Sequence, residues 1–265
     1  MKKEYSMAPK IRRHERIIEL IRKNGFMPIE ELARVLEVTP QTIRRDINQL
    51  CEENILRRYH GGATLNDTQD SLVLLNQKNK RQTEKAHIAD LIAAQIPDGA
   101  SLFMSIGNTI EAVAIALIKN CNNLRIITNN IHVAAIVSGR TDYTVIITSG
   151  VVRPVDGGVT GVATVDFINQ FKADYAILSA ASIETDGSLL DFDFKEVSVM
   201  QAMMHNARTR YLALDHSKIG RSALVRMGNI TEFDVVFVDE EPSDGLKKQL
   251  LEANVSYHVA HTISL

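Results

Sequence analysis

Four loop segments in the second part of the chain carry residues able to hold an anion or a polyol. The first is Ser105-Ile106-Gly107-Asn108-Thr109, which interrupts an apolar run and precedes a helical pattern. At a helix start, Gly107, Asn108 and Thr109 would offer free backbone N–H groups and two side chains to a negative charge. Such a terminus favours an anion by about 0.3–1 kcal/mol. A tight turn capped by Asn is an equally good reading, since neither GxGxxG nor GxxxxGK[ST] is present. Thr128-Asn129-Asn130 forms the second polar segment. Arg153 stands in the third, SGVVRPVDGGVTG, where it could clamp a phosphate or carboxylate while Gly157, Gly158 and Gly161 admit close backbone approach. A glycine-bearing hairpin with Arg at its surface is the plain alternative. Lys218, in DHSKIGR, could neutralise a phosphate or simply pair with Asp215. Asp191 and Asp193 in SLLDFDF are two apart, hence on one side of an extended segment, where they could accept hydroxyl protons or face water.

Other chemistries lack their residues. The eight histidines form no HxH, HExxH or Cys/His cluster, so no metal site is expected. Cys51 and Cys121 have no CxxC spacing, which argues against zinc and against a disulfide framework. No Ser lies in GxSxG, so nucleophilic catalysis finds no support and no cofactor is called for.

The elements that must position these loops alternate along the chain. Short apolar strands are expected at SLFMSI, LRIIT, YTVIIT, DYAILSA, RYLALD and DVVFVD, with a weaker final SYHVA. Helical patterns lie at EKAHIADLIAAQI, NTIEAVAIALI, NIHVAAIV, ATVDFINQF, EVSVMQAMMHNA and DGLKKQLLEA. That alternation predicts an α/β fold, a mostly parallel sheet covered on both faces. Ligands of such sheets bind beyond the carboxyl ends of the strands, where the four loops fall.

The front of the chain has another character. Residues 1–62 hold 13 Lys+Arg against 9 Asp+Glu, leaving 17 against 23 for the rest, a basic front on an acidic body. Ile17, Ile18 and Ile21 recur at helical spacing up to Asn24-Gly25, and Pro28 opens a second short helix through Leu36. Thr39 then caps PQTIRRDINQLCEEN, with Pro40 at its first position. At about 100° per residue, Ile43, Ile47 and Leu50 share an inner arc, and Gln41, Arg45 and Asn48 point away, with Arg44 at their edge. Those outer side chains suit base edges in the major groove. Thr42 lies in the same first turn, and Asp46 on the other flank orients a basic neighbour. ILRRYHGGATL follows as a β-wing whose Arg57, Arg58 and His60 would reach phosphates. A scaffold that docks another protein would share the helical spacing but not the capped polar helix and basic wing together.

The domains expected are a winged helix-turn-helix over 8–65, a polar linker over 66–80, and an α/β effector-binding and oligomerising domain over 81–265. The longest uncharged run, Ile126–Gly139, has 14 residues, too few for a membrane span. The N-terminal stretch lacks the apolar centre of a signal peptide, so a cytoplasmic protein is expected.

TPQTIRRDINQL followed by RRYHGGA closely resembles the N-terminal winged helix-turn-helix of the DeoR family of bacterial repressors. The resemblance continues through TNN, the Gly-rich loop with Arg153, TDGSLLDFDFKEV and DHSKIGR. It implies a sensor domain with a fold akin to ribose-5-phosphate isomerase and CoA transferases, kept for binding rather than turnover. It also implies a phosphorylated sugar or polyol with its phosphate at Gly107-Asn108-Thr109, Lys218 near the ligand and the Asp191/Asp193 segment bordering the cavity. Family members usually carry Asp where Ser105 stands, Gly-Thr-Thr where this chain has Gly107-Asn108-Thr109, glycines near Ser179-Ala180-Ala181-Ser182, and Phe at Ile219. The reading is therefore a repressor of a carbohydrate or polyol catabolic operon, a homo-oligomer (dimer or tetramer) that binds double-stranded operator DNA and is released by its effector. The alternative is a phosphosugar isomerase or transferase with a DNA-binding appendage, for which Lys218, Asp191 and Asp193 would serve as acid/base groups.

Overall fold

The computed structural model describes residues 9–24, 26–53, 55–59, 61–65, 82–154, 156–221 and 223–260. The expected linker over 66–80 and His60 lie outside the described residues. The chain divides into two compact units, one up to Lys80 and the other from Arg81 on.

In the first unit, α1 (Pro9–Asn24), α2 (Ile29–Val35) and α3 (Pro40–Glu52) enclose a core of Ile17, Ile21, Leu32, Ile43, Ile47, Leu50 and Leu56. The inner arc of α3 is thus the one that helical periodicity assigns to it. The Thr39 hydroxyl accepts the Thr42 N–H at 3.3 Å, and Pro40 opens the helix where a missing N–H costs nothing. Strands β2 (Leu56–Tyr59) and β3 (Gly62–Leu65) form the wing. One strand was not anticipated: β1 (Phe26–Pro28) pairs antiparallel with β3 and closes a three-stranded sheet.

The second unit is built on a seven-stranded parallel sheet: β4 (Ser101–Met104), β5 (Arg125–Thr128), β6 (Thr144–Ile147), β9 (Ala173–Leu178), β12 (Ala207–Leu214), β14 (Val235–Val238) and β15 (Ser256–Val259). These are the seven runs expected from apolar patterning. Successive residues enter opposite cores: Leu102 and Met104 pack with Ile88 and Ile92 of α4 (Gln82–Ala93) and with Val113 and Leu117 of α5 (Asn108–Asn120). Phe103 instead joins Val199, Met200 and Met203 of α8 (Phe194–His205) and Leu246 and Leu250 of α9 (Asp244–Glu252). Burial on both faces is why the strands read as continuous apolar runs.

The order across the sheet is β15-β14-β12-β9-β4-β5-β6. From β4 the chain steps to β5 and β6 on one side, then returns to β9 on the other. The β4/β9 boundary is therefore the topological switch point of a doubly wound sheet, the place beyond whose strand ends such sheets bind their ligands.

Two small features carry loops over that edge. A hairpin, β7 (Val151–Val152) and β8 (Val159–Thr160), precedes α7 (Val162–Ile168). A second sheet joins β10 (Ser182–Ile183), β11 (Ser188–Asp191) and β13 (Val225–Asn229). The latter had no expectation behind it, since strands of two to five residues leave too short a pattern to read.

Candidate functional site

On α3, Gln41, Arg45 and Asn48 are exposed while Ile43, Ile47 and Leu50 are buried. Arg44 is half-buried and reaches Glu30 at 3.3 Å. Arg58 of the wing donates to Asn48 Oδ1 at 3.0 Å, tying wing to helix and presetting both for one ligand surface. Arg57 is exposed on the same strand. Asp46 is not a surface group: it is 2% exposed and bonds Arg13 at 2.6 Å and His14 at 3.1 Å. Burial opposes its ionisation, but hydrogen bonds and charge from Arg13 and His14 outweigh that and hold its carboxyl below the usual range. The basic neighbours it orients belong to α1, which buttresses the reading helix from behind.

In the body, the Ser105–Thr109 loop leaves β4 at the switch point. The Ser105 N–H donates to Ile177 O of β9 at 3.2 Å. Gly107 precedes α5 with φ 129°, a backbone state that side-chain-bearing residues rarely adopt, and no side chain caps the helix. Gly107 is exposed, Asn108 half-buried and Thr109 buried. The helix thus begins with no side-chain cap hydrogen bond to its first N–H groups. Asn108 is the first helical residue and not the cap.

Several of the expected contact residues also have backbone duties. Ser105 is fully buried, and its hydroxyl lies 3.4 Å from the Ile106 carbonyl. Thr128 Oγ1 donates to Met104 O at 2.7 Å and accepts the Asn130 N–H at 3.0 Å, strapping β5 to β4. Asn130 Oδ1 caps α6 (Ile131–Val137) by accepting the His132 and Val133 N–H groups. Asn129 Nδ2 donates to Val159 O at 3.0 Å, holding the hairpin down.

Arg153 differs most from its expected role. Its guanidinium binds Asp156, Asp193 at 3.0 Å and Glu196 at 2.6 Å. Burial opposes its charge, yet the three carboxylates raise its affinity for the proton far above the ordinary value. It is a brace between the β7–β8 hairpin and the start of α8, not a guanidinium offered to an anion. The hairpin lies close over the first loop: a Cβ on Gly158 would sit 2.9 Å from Ile106 Cδ1.

Asp191 and Asp193 do not share one extended face, because β11 ends at Asp191 and the chain turns into α8. Asp193 caps that helix through the Lys195 N–H at 2.9 Å. Asp191 is 6% exposed and accepts the Phe192 N–H at 2.6 Å. Burial raises its carboxyl, against the pull of Lys218 and Arg153. Glu196, which residue patterning did not single out, is 9% exposed and raised further, by burial and then by Asp191. Its place in the first turn of a helix that follows two acids was the only available signal.

Lys218 lies in a short turn, His216–Lys218, capped by Asp215. Desolvation lowers its ammonium, Arg221 and Lys85 add to that, and Asp215 and Asp191 oppose it. Among the described residues Lys218 forms no ion pair. Lys218 acts electrostatically on Asp191, the Gly107 loop leaves β4 at the switch point, and Arg153 braces the hairpin that lies over that loop. No cluster of three metal-ligating side chains occurs among the described residues, and no described helix is long and apolar enough to cross a membrane.

A winged reading helix and a doubly wound α/β domain in one chain are the build of a DNA-binding transcription regulator. The chain belongs to the DeoR family. Residues 13–69 match the DeoR-like helix-turn-helix domain and residues 80–240 the DeoR C-terminal sensor domain. It is 44% identical to the glycerol-3-phosphate regulon repressor of Escherichia coli K12, over 92% of this chain and 96% of that one. It is 39% identical to the transcriptional repressor CsqR of the same organism, over 92% and 93%. Among solved structures, ribose 5-phosphate isomerase A from Methanocaldococcus jannaschii aligns with a TM-score of 0.38 at 13% identity, over 53% of this chain and 55% of that one.

Proposed function

We propose that this protein is a cytoplasmic repressor of a carbohydrate or polyol catabolic operon, released from its operator by a phosphorylated sugar or polyol. The observation that carries the effector reading is the uncapped N-terminus of α5, open at Gly107 beside the β4/β9 switch point. A dianionic phosphate there would accept the free N–H groups, and Lys218 would add charge without giving up an ion pair. The repressor relatives support the same reading on the DNA side. The reading helix sees only a few base pairs, so the protein acts as a homo-oligomer that presents two such helices to a two-fold operator. The repressor relatives support a site that serves binding rather than catalysis.

The ligand must favour the state that binds DNA poorly, since equal affinity for both states would shift nothing. Thermal shifts of the full chain against phosphorylated trioses, pentoses, hexoses and polyols identify it, and the ligand that stabilises is then tried for release of the protein from operator DNA. Lys218→Ala is expected to keep operator binding and lose that release. An undiminished release removes Lys218 from the site, and turnover of any of these sugar phosphates by the purified protein replaces the sensor with the isomerase or transferase reading.

A further inference from the structure

Among the described residues, three buried side-chain atoms without a hydrogen-bond partner fall together at the ends of two adjacent strands: Asn129 Oδ1, Asn130 Nδ2 and Thr148 Oγ1. Asn129 and Asn130 are 0% exposed and Thr148 5%. The last registered pair of β5 and β6 is Thr128 with Ile147, so Asn129 and Thr148 are the next residues on neighbouring strands, one step beyond the sheet. The Asn130 backbone bridges to Gly158 and Asn129 Nδ2 donates to Val159 O, which sets both against the hairpin whose Gly158 abuts Ile106 of the first loop, while the Thr148 N–H donates to Thr128 O on the neighbouring strand.

The chemistry of the three atoms is specific. Asn129 Nδ2 is committed to Val159 O, so its free atom is the acceptor oxygen. Asn130 Oδ1 is committed to two helix N–H groups, so its free atom is the donor nitrogen. Thr148 Oγ1 serves either way. A phosphate oxygen offers nothing to Asn129 Oδ1, because both are acceptors. A hydroxyl group donates to one and accepts from another. Leaving such groups unmet in a buried place is costly, so they call for a partner of that kind.

We infer that Thr148, with Asn129 and Asn130, forms a hydroxyl-recognising subsite that reads the polyol part of the effector, apart from the phosphate end at Gly107. This deepens the phosphate-ester reading above and rests on it. Thr148 becomes the residue that separates polyol phosphates from phosphate esters without hydroxyls.

Isothermal titration of the full-length protein tests it, with glycerol 3-phosphate, ribose 5-phosphate, fructose 6-phosphate, n-propyl phosphate and inorganic phosphate as probes. The wild type is expected to bind at least one hydroxylated ester about tenfold or more tightly than n-propyl phosphate. Thr148→Val, close in shape but without the hydroxyl, should remove most of that preference while affinity for n-propyl phosphate stays. Thr148→Ser should retain the preference, and Thr148→Ala replaces the valine variant should the latter fail to fold. Undiminished preference in Thr148→Val and Thr148→Ala overturns the subsite and leaves these atoms to a structural water only. Equal affinity of the wild type for n-propyl phosphate and every hydroxylated ester overturns it as well, with the phosphate site intact. Failure of every ester and of phosphate to bind the wild type sinks the effector reading itself, and the subsite with it.

Discussion

Each unit buries carboxylates, and Asp46 of the winged domain and the pair Asp191 and Glu196 of the sensor domain are treated in opposite ways, although Asp215, near Lys218, is lowered as Asp46 is. In the winged domain Asp46 meets Arg13 and His14, and its carboxyl is held below the ordinary range. In the sensor domain Asp191 and Glu196 are raised, because several acids are buried together with one braced guanidinium, Arg153. The first arrangement fastens α1 to the back of the reading helix and is complete by itself. The second keeps charge in a crevice at some cost to stability, as sites that await a ligand do. A DNA reader needs a fixed helix, whereas a sensor needs a site whose balance a ligand can change.

That contrast can be broken by experiment, beginning with the largest effect. Arg153→Ala leaves Asp156, Asp193 and Glu196 without their cation and should cost the sensor domain about 3 kcal/mol or more, against no change in the winged domain. Peptide-resolved hydrogen exchange reads the two units separately, and equal loss of protection in both would contradict their independence. Asp46→Asn should cost the winged domain about 2 kcal/mol and weaken operator binding by loosening α3 from α1. Next comes Arg45→Ala, expected to lose about 1–3 kcal/mol of discrimination at one operator position; unchanged preference over an operator library would take it off the reading face. Arg58→Ala should weaken binding to all sequences alike and lower the salt slope by about one unit, visible in affinities measured from low to moderate salt.

The smallest effect is on pH dependence, and its sign differs between the units. For Asp46 the folded carboxyl lies below its unfolded value. Its contribution is present above the unfolded value, about pH 4, and is lost as pH falls through the folded one. For Asp191 and Glu196 the folded carboxyls lie above theirs, so the folded state holds protons more tightly. Stability of the sensor domain should then rise as pH falls from neutral toward about 5, while the winged domain is unchanged. Glu196→Gln should flatten that rise. A rise that survives the substitution in full would assign it to other groups.

The reading helix was legible from its residues because helical spacing is local: Ile43, Ile47 and Leu50 face inward whatever they pack against, and Thr39-Pro40 marks the start. The seven main strands were legible for a related reason, since each is an apolar run buried on two faces. Asp46 orients basic neighbours as its flank position suggested, and only the approach of α1 shows which they are and that it is covered. The meeting of Arg153 with Asp193 was not legible, and Glu196 was not singled out. They lie 40 residues or more apart along the chain on one side, and no local pattern says that a hairpin arginine will meet a helix N-terminus. Thr148 gave no signal at all, being one more residue after a strand.

By itself, then, the amino-acid order determined the alternation of elements, the polarity of the reading helix and the loops in which chemistry would fall, because these depend on residues within a turn or a strand of one another. Tertiary structure decided which loops meet. The reversal of strand order between β4 and β9 places the Gly107 loop at the switch point, the fold of the hairpin sets Arg153 among three carboxylates, and strand register sets Thr148 beside Asn129. These depend on contacts between residues distant in the chain, and their energies belong to the assembled sheet rather than to any segment of it.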